Sequence, residues 1–342
     1  NRRYTYEDAQ TTLDTGSGDF YHELNILNTI AKKLTKARFE AGALSLETEE
    51  VKFKLDEDGV PVDVYVKVRG DTNKMIEEYM LMANKAVSKF ITLEQEKVQG
   101  KDKGICVYRI HDKPDADRMH DLDLYIRGLG YNVRFMDGLI PSQDLNALLQ
   151  KMGDRPEKTL LQVHITRSMA KAIYSTKNIG HYGLAFDYYS HFTSPIRRYP
   201  DVLTHRLLMR VVEKDFPKET ERGWFDKLCM QASRREKEAS DAERGSIKYK
   251  QVQYMSMRIG EQFDGMVSGV SEWGIYVEEK KSKCEGMIRL RDLGDDFFNY
   301  DQKGGRVFGE RTGVEYKIGT PVKIEVKQAN LDMKVIDYKL VF

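Results

Sequence analysis

The chain has 342 residues, enough for two domains or for one large and one small one. Its 55 basic and 54 acidic residues leave a net charge of +1, which excludes a global pull toward nucleic acid; any such affinity must come from local clusters of Lys and Arg. Three scattered cysteines (Cys106, Cys229, Cys284) argue against a disulfide framework and a Cys-rich zinc site, and no apolar run approaches the roughly 20 residues that span a bilayer.

With a mean hydropathy of −0.58 and no signal peptide at its start, the chain is expected to be soluble and cytoplasmic, with no membrane partner. It opens on Asn1 rather than Met, in mid-pattern, which predicts a piece of a longer protein.

Leu24, Leu27, Ala31 and Leu34 recur at helical spacing and predict a helix over 22–41, ended by Gly42. Val51, Phe53 and Leu55 alternate, Asp58-Gly59 turns the chain, and Val60 to Val68 alternate back, predicting a hairpin over 51–69. A second helix is expected over 73–90, with Ile76, Ala83, Val87 and Phe90 facing inward. A short strand from Ile105 to Ile110 follows, then helices over 115–128 and 142–152.

Gly180 to Tyr189 reads as a Gly- and aromatic-rich connector into His191-Phe192-Thr193-Ser194-Pro195-Ile196-Arg197-Arg198-Tyr199-Pro200-Asp201. Two helix starts are predicted there: Ser194 as N-cap with Pro195 first in the helix, and Pro200 opening a longer helix that turns Leu203, Leu207, Leu208, Val211 and Val212 inward. A long charged helix is expected over 226–252. Beyond Gly260, five short strands separated by turn signals (263–270, 274–278, 286–288, 321–329, 334–341) predict a small closed barrel, of which the OB-fold is the common type.

The run His191 to Asp201 sets two guanidiniums beside two hydroxyls and two helix starts. Arginine forks suit phosphate oxygens, and helix N-termini add unpaired N–H groups. By itself the run also fits a capping turn with surface arginines. The longer phrase HFTSPIRRYPDVLTHRLL, however, resembles the signature of the ribonuclease II/ribonuclease R (RNB) family. RRYTYEDAQ, GALSLETEEVKF, IEEYMLMAN, RIHDKP, ITRSMAKAIY and QASRREKEASDAER look like further blocks of that family in family order, and the resemblance covers nearly the whole chain.

It implies an α+β protein: residues 1–258 as the C-terminal portion of an RNB catalytic domain, helices with a β-hairpin, and 259–342 as a five-stranded OB-fold RNA-binding barrel of the ribosomal-protein S-one type. It also implies processive hydrolysis of single-stranded RNA from the 3′ end to 5′-monophosphates with Mg2+, by a monomer.

Residue by residue, Arg197 matches the family's phosphate-clamping arginine, where a guanidinium would stabilise transition-state charge. Arg198 beside it is a weaker RNA contact, with a structural ion pair as the competing role. Glu78 matches an acid that contacts the terminal ribose, with Glu77 as the competing assignment; a carboxylate accepting from a 2′-OH tells RNA from DNA. Tyr6 matches a tyrosine that holds the terminal nucleotide, the alternative being a core tyrosine. Leu46 stands where the family has a base-stacking aromatic, which implies a looser grip, since a stacked base is worth roughly 1–3 kcal/mol. Glu243 matches a position near the active site, against a solvated face of a charged helix.

In the barrel, Phe263, Trp273 and Tyr276 are expected on the first strands as stacking aromatics, with Phe263 equally suited to the core. Arg289 and Arg291, standing where a His and a Ser are usual, would add phosphate contacts. Trp273 and Tyr276 share a face only if the strand bends or bulges near Gly274; otherwise one ring, Tyr276 first, packs in the core.

The family's metal site is an aspartate quartet spaced D-x5-D-x-D-D, and the resemblance places it before the Tyr6 block, outside this chain, so that the chain alone would not cleave RNA. Asp115, Asp121 and Asp123 imitate the spacing, but the fourth position is Leu124, and the match is read as coincidence. Two rivals stand beside the enzyme: a non-catalytic RNA-binding relative lacking the metal aspartates, and a scaffold for protein partners.

Overall fold

The computed structural model describes residues 1–46, 50–67, 69–153, 155–302 and 304–342. In chain order its elements are α1 (Tyr6–Thr15), α2 (Tyr21–Glu40), β1 (Glu50–Leu55), β2 (Pro61–Lys67), α3 (Asp71–Gln99), β3 (Tyr108–Ile110), α4 (Ala116–Gly128), α5 (Ser142–Met152), α6 (Pro156–Ser168), β4 (Ile173–Ser175), α7 (Tyr199–Val212), α8 (Arg222–Ser256) and β5 to β12 beyond Gly260. They form two compact units. One collects Asn1–Leu46, Arg69–Gly153 and Val163–Glu238; the other holds mainly the β1–β2 hairpin and Ala239–Phe342.

Local chemistry explains the element ends. Thr5 caps α1 by accepting from Asp8 N at 3.1 Å. In the hairpin, Asp56 Oδ1 accepts from Asp58 N and Val60 N at 3.0 and 2.8 Å and ties the turn, while Val51 pairs with Val66 and Phe53 with Val64. Val68, expected in the second strand, lies outside the described residues. The helix expected over 226–252 begins four residues earlier and ends four later.

The first unit's core gathers Ile91, Ile105 to Tyr108, Tyr174, Leu203, Leu207, Val211, Phe225 and Cys229. In α7, Leu203, Leu207 and Val211 are buried as expected, but Leu208 only packs at the core's edge and Val212 is exposed. The inner face of α3 also differs from expectation. Ile76 and Phe90 are exposed, and Val87 sits at the core's edge. The buried side of this 29-residue helix carries Met75, Glu78, Asn84, Ser88, Ile91, Thr92 and Gln95. Apolar spacing misplaces this face because its polar side chains find partners elsewhere in the unit, which removes most of the cost of burying them.

The second unit is built on β5 (Gln262–Ser271), β6 (Gly274–Glu279), β7 (Glu285–Arg289), β11 (Pro321–Asn330) and β12 (Val335–Leu340). They close in the order β5-β6-β7-β12-β11 and back to β5; β12 runs parallel to β7 and every other pair is antiparallel. This is the expected five-stranded OB-type barrel. Val267, Ile275, Val277, Ile288, Ile324, Val326, Ile336 and Tyr338 fill it, joined by Val252 and Met255 of α8, which precede residue 259. A small sheet of β8 (Phe298–Asp301), β9 (Arg306–Gly309) and β10 (Glu315–Lys317) is inserted between β7 and β11. Its strands are too short to show an alternating pattern, and the sequence reading passed over them.

Candidate nucleic-acid interface

The segment Ser190–Asp201 is backbone held by side chains. Asn84 of α3 accepts from Phe192 N and Thr193 N at 3.0 and 3.2 Å and donates to Tyr189 Oη at 3.3 Å. Buried Ser190 bonds Ser88 Oγ at 3.0 Å. His205 Nε2 meets Phe192 O at 2.9 Å, and the two rings stack with centroids 4.0 Å apart. Where a helix start was expected at Ser194-Pro195, the chain makes a turn instead: Arg197 N and Arg198 N both donate to Ser194 O, at 3.3 and 3.1 Å, and helix begins only at Tyr199, with Pro200 in its first turn. Arg198 stands at the N-cap position of α7 without a side-chain capping bond, and its Nη2 donates to Asp201 Oδ1 at 2.8 Å; Ser194 N donates to the same oxygen at 2.7 Å.

The two arginines therefore divide. Arg198 is largely covered and paired with Asp201, while Arg197 is exposed, touching Ser194 Oγ at 3.4 Å, beside a fully exposed Ile196.

A neutral aromatic and imidazole layer adjoins this segment. His111 and His181 lie 4.9 Å apart, His181 and Tyr189 5.3 Å, and Tyr189 and His191 5.7 Å. Tyr174 Oη bonds His191 Nδ1 at 2.8 Å. Burial drives His191 down to about 2, with Arg198 adding to the effect, and burial with neighbouring His111 takes His181 to about 3. Arg109 lies over the Tyr174 ring and grips Glu236 through both terminal nitrogens at 2.5 and 3.0 Å.

Tyr6 opens α1 and is half-exposed, so it is not the core tyrosine of the alternative; its carbonyl accepts from Thr72 Oγ1 of α3 at 3.1 Å. Glu78 is buried, and its Oε1 receives Arg38 of α2 through Nη2 and, at 3.2 Å, through Nε. Glu77 is exposed and holds Arg69 at 2.6 Å. Leu46 is half-buried beside Ser45, whose N donates to Asn146 Oδ1 at 3.0 Å. Sequence reasoning missed Asn84, Asp201 and Arg38. The available signals were a lone amide inside the apolar LMAN run and an acid three residues after a helix N-cap.

On the barrel, Trp273 is not on a strand. It forms the β5–β6 turn, 68% exposed, and its carbonyl accepts from Leu290 N at 3.2 Å. The turn exists because Gly274, at φ 156°, lies so close to β7 that a Cβ would sit 2.0 Å from Ile288 O. A bulge falls on β5 between Val267 and Gly269, opposite Tyr276, rather than at Gly274. Ile275 and Val277 point into the barrel and Tyr276 points out, half-buried over Gly269 and paired with Met287. Arg289 pairs with Gly274, and Arg291 lies in the following helical turn; both are exposed. Phe263 packs against the barrel core. Glu243 is exposed on α8, within the second unit.

A divalent ion of the hard, oxygen-seeking kind needs converging oxygen ligands. Asp115 instead caps α4, accepting from Asp117 N and Arg118 N at 3.1 and 3.2 Å; Asp123 is buried against Arg127 Nε at 2.7 Å, and Asp121 is exposed. Among the described residues no three His, Cys, Asp or Glu converge to hold a metal, so those residues do not fit such an ion. No helix among them is long and apolar enough to cross a membrane.

A helical unit presenting a side-chain-braced arginine turn and an OB-type barrel carrying exposed Trp273, Arg289 and Arg291 offer groups of the kind that suit nucleic acid. Comparison with known proteins gives the family. The RNB domain family matches residues 1–214, and the chain belongs to that family.

The chain is 31% identical to ribonuclease R of Aquifex aeolicus over 346 aligned residues, covering 99% of this chain and 48% of that protein. It is 34% identical to ribonuclease R 1 of Lactococcus lactis over 317 residues, 92% of this chain and 37% of that protein. It thus spans less than half the length of these relatives. Among solved structures, Mycoplasma genitalium RNase R in complex with ribose-methylated single-stranded RNA superposes with a TM-score of 0.89 at 24% identity, covering 99% of this chain and 53% of that one. Yeast Ssd1, a pseudonuclease, matches at 0.65 and 20% identity over 89% of this chain and 37% of that one. Both bear out the mixed helical and barrel fold.

Proposed function

We propose that this chain supplies the RNA-holding part of a cytoplasmic, monomeric 3′→5′ exoribonuclease, which degrades single-stranded RNA processively to 5′-nucleoside monophosphates. Mg2+ is the cofactor of that reading, and its aspartate ligands are not assigned to any residue here. The observation that carries the proposal is the turn at Ser194–Arg198, which Asp201 holds through Ser194 N and Asn84 anchors at the two preceding residues, while Arg197 is left exposed. A guanidinium carried on a backbone held in that way suits a scissile phosphoryl group, where charge grows in the transition state. Glu77 or Glu78 meets the terminal ribose. Exposure favours Glu77, whereas Glu78 is buried with Oε1 on Arg38. Tyr6, half-exposed, holds the terminal nucleotide, beside a weak contact from Leu46; Glu243 assists from α8. Residues 259–342 form the RNA-binding barrel, with Trp273, Tyr276, Arg289 and Arg291 as its contacts and Phe263 serving its core.

The test uses the full-length gene product, 5′-labelled oligoadenylate and Mg2+. Stepwise shortening with release of nucleoside 5′-monophosphates is expected. Arg197→Ala should lower turnover by about 10²–10³-fold while RNA affinity changes little. Weakened binding with turnover intact at saturation would remove Arg197 from the chemistry. RNA binding without cleavage would select the non-catalytic relative, a reading favoured by the likeness to a pseudonuclease. Absence of salt-sensitive RNA binding would leave the scaffold.

A further inference from the structure

The opposite fates of Arg197 and Arg198 trace to one buried acid. Asp201 is fully buried at the third position of α7. An acid there ordinarily reaches back to the N–H of the N-cap residue. Asp201 reaches further, to Ser194 N, and takes Arg198 Nη2 on the same oxygen, so residues 194–198 are closed into a loop. The loop's base is Ser194, whose carbonyl also receives Arg197 N and Arg198 N. Its outer rim is Ile196 and Arg197, both exposed.

A second observation concerns atoms left over. Thr193 Oγ1, Arg198 Nε and Asp201 Oδ2 are buried and find no hydrogen-bond partner among the described residues. Leaving buried polar groups unpaired is costly, so the bonds that Asp201 does make, to Ser194 N and Arg198 Nη2, are the ones that hold the turn. The side chains the turn leaves in solvent include Ile196 and Arg197.

We infer that Asp201 is a positioning residue for Arg197: it fixes the Ser194–Arg198 turn so that the guanidinium meets a phosphoryl oxygen as charge builds there. The inference rests on the reading of Arg197 given above. Asp201 is fully buried and acts through Ser194 N. An asparagine at 201 retains an oxygen for Ser194 N; an alanine retains none.

The experiment measures RNA affinity and single-turnover rate in the full-length protein with oligoadenylate and Mg2+, for Arg197→Ala, Asp201→Ala, Asp201→Asn and the Arg197→Ala/Asp201→Ala double variant. Asp201→Ala should lose most of the rate that Arg197→Ala loses, with affinity within about twofold of the parent. The double variant should be no slower than Arg197→Ala by more than about threefold, because both changes remove one interaction. Asp201→Asn should run about tenfold faster than Asp201→Ala, since the bond to Ser194 N survives. If Asp201→Ala fails to fold, Arg198→Met/Asp201→Ala, which leaves no unpaired guanidinium, is read in its place.

Full speed in Arg197→Ala would overturn the reading of Arg197 and this inference with it. A slow Arg197→Ala beside a fast Asp201→Ala, losses that multiply in the double variant, or an asparagine as slow as alanine would overturn the role of Asp201 alone.

Discussion

The arginine turn of the helical unit and the aromatic tip of the barrel both offer groups suited to RNA, but they are built in opposite ways. The turn and the residues leading into it are held by polar bonds: Asn84, Asp201 and His205 take main-chain atoms of residues 192–194, and Ser88 takes the Ser190 hydroxyl. The tip projects from a barrel whose apolar core is complete without it. Trp273 is mostly in solvent and Tyr276 lies on the outer face, while Ile275, Val277 and Ile288 close the interior. A surface held by buried polar bonds is specific and easily broken. A surface mounted on an apolar core can be altered residue by residue.

The largest expected effect lies on the polar side of this contrast. Arg38→Ala leaves Glu78 buried and unpaired and should destabilise the helical unit by about 3–5 kcal/mol, whereas Arg38→Met with Glu78→Leu should recover most of that loss. Urea unfolding followed by circular dichroism measures both. An alanine variant as stable as its parent would mean that the polar seam is dispensable.

Acid sharpens the comparison next. His191 and His181 stay neutral in the fold down to about 2 and about 3, while in the unfolded chain they protonate as pH falls through about 6.5. In that window the unfolded state binds more protons, so stability falls as pH drops, by up to about 1.4 kcal/mol per pH unit for each ring. Unfolding midpoints at pH 7 and pH 5 should separate, and less so in His191→Gln. Equal midpoints in the parent protein would show that these rings are not held neutral.

A rigid demand of the barrel at Gly274 comes third. Gly274→Ala would drive a Cβ into the β7 backbone and should cost about 1–3 kcal/mol, lowering the barrel's melting temperature. An unchanged melting temperature would show that the β5–β6 turn can open freely.

The smallest effect on stability belongs to the tip. Trp273→Ala should change stability by less than about 0.5 kcal/mol, the range of an exposed surface site. It should also weaken single-stranded RNA binding by about 1–3 kcal/mol. Tyr276→Ala should behave alike, with a slightly larger stability loss because the ring is half-buried over Gly269. A large stability loss in either variant, with affinity intact, would make the tip a structural element after all.

Much of this protein could be read from local text. The barrel strands were legible because alternation is enforced by a single buried face, and the hairpin because Asp56 to Gly59 supplies its own turn bonds. The ends of α2, α4 and α5 followed from apolar spacing and caps, whereas α3 runs nine residues past its expected end and α1 and α6 were not foreseen. Within the candidate interface, Arg197 and the two barrel arginines were visible as residues, though not what each one touches.

Only the tertiary structure decided which face of α3 is buried, that Glu78 rather than Glu77 is covered, that Arg198 turns inward and Arg197 outward, and that Trp273 sits in a turn. The physical reason is the same in each case. Apolar burial depends mainly on the residue itself, so its periodicity shows in the sequence. Burial of a polar group depends on a partner, and the partners here are remote: Arg38 lies 40 residues from Glu78, and Asn84 lies 108 from Phe192.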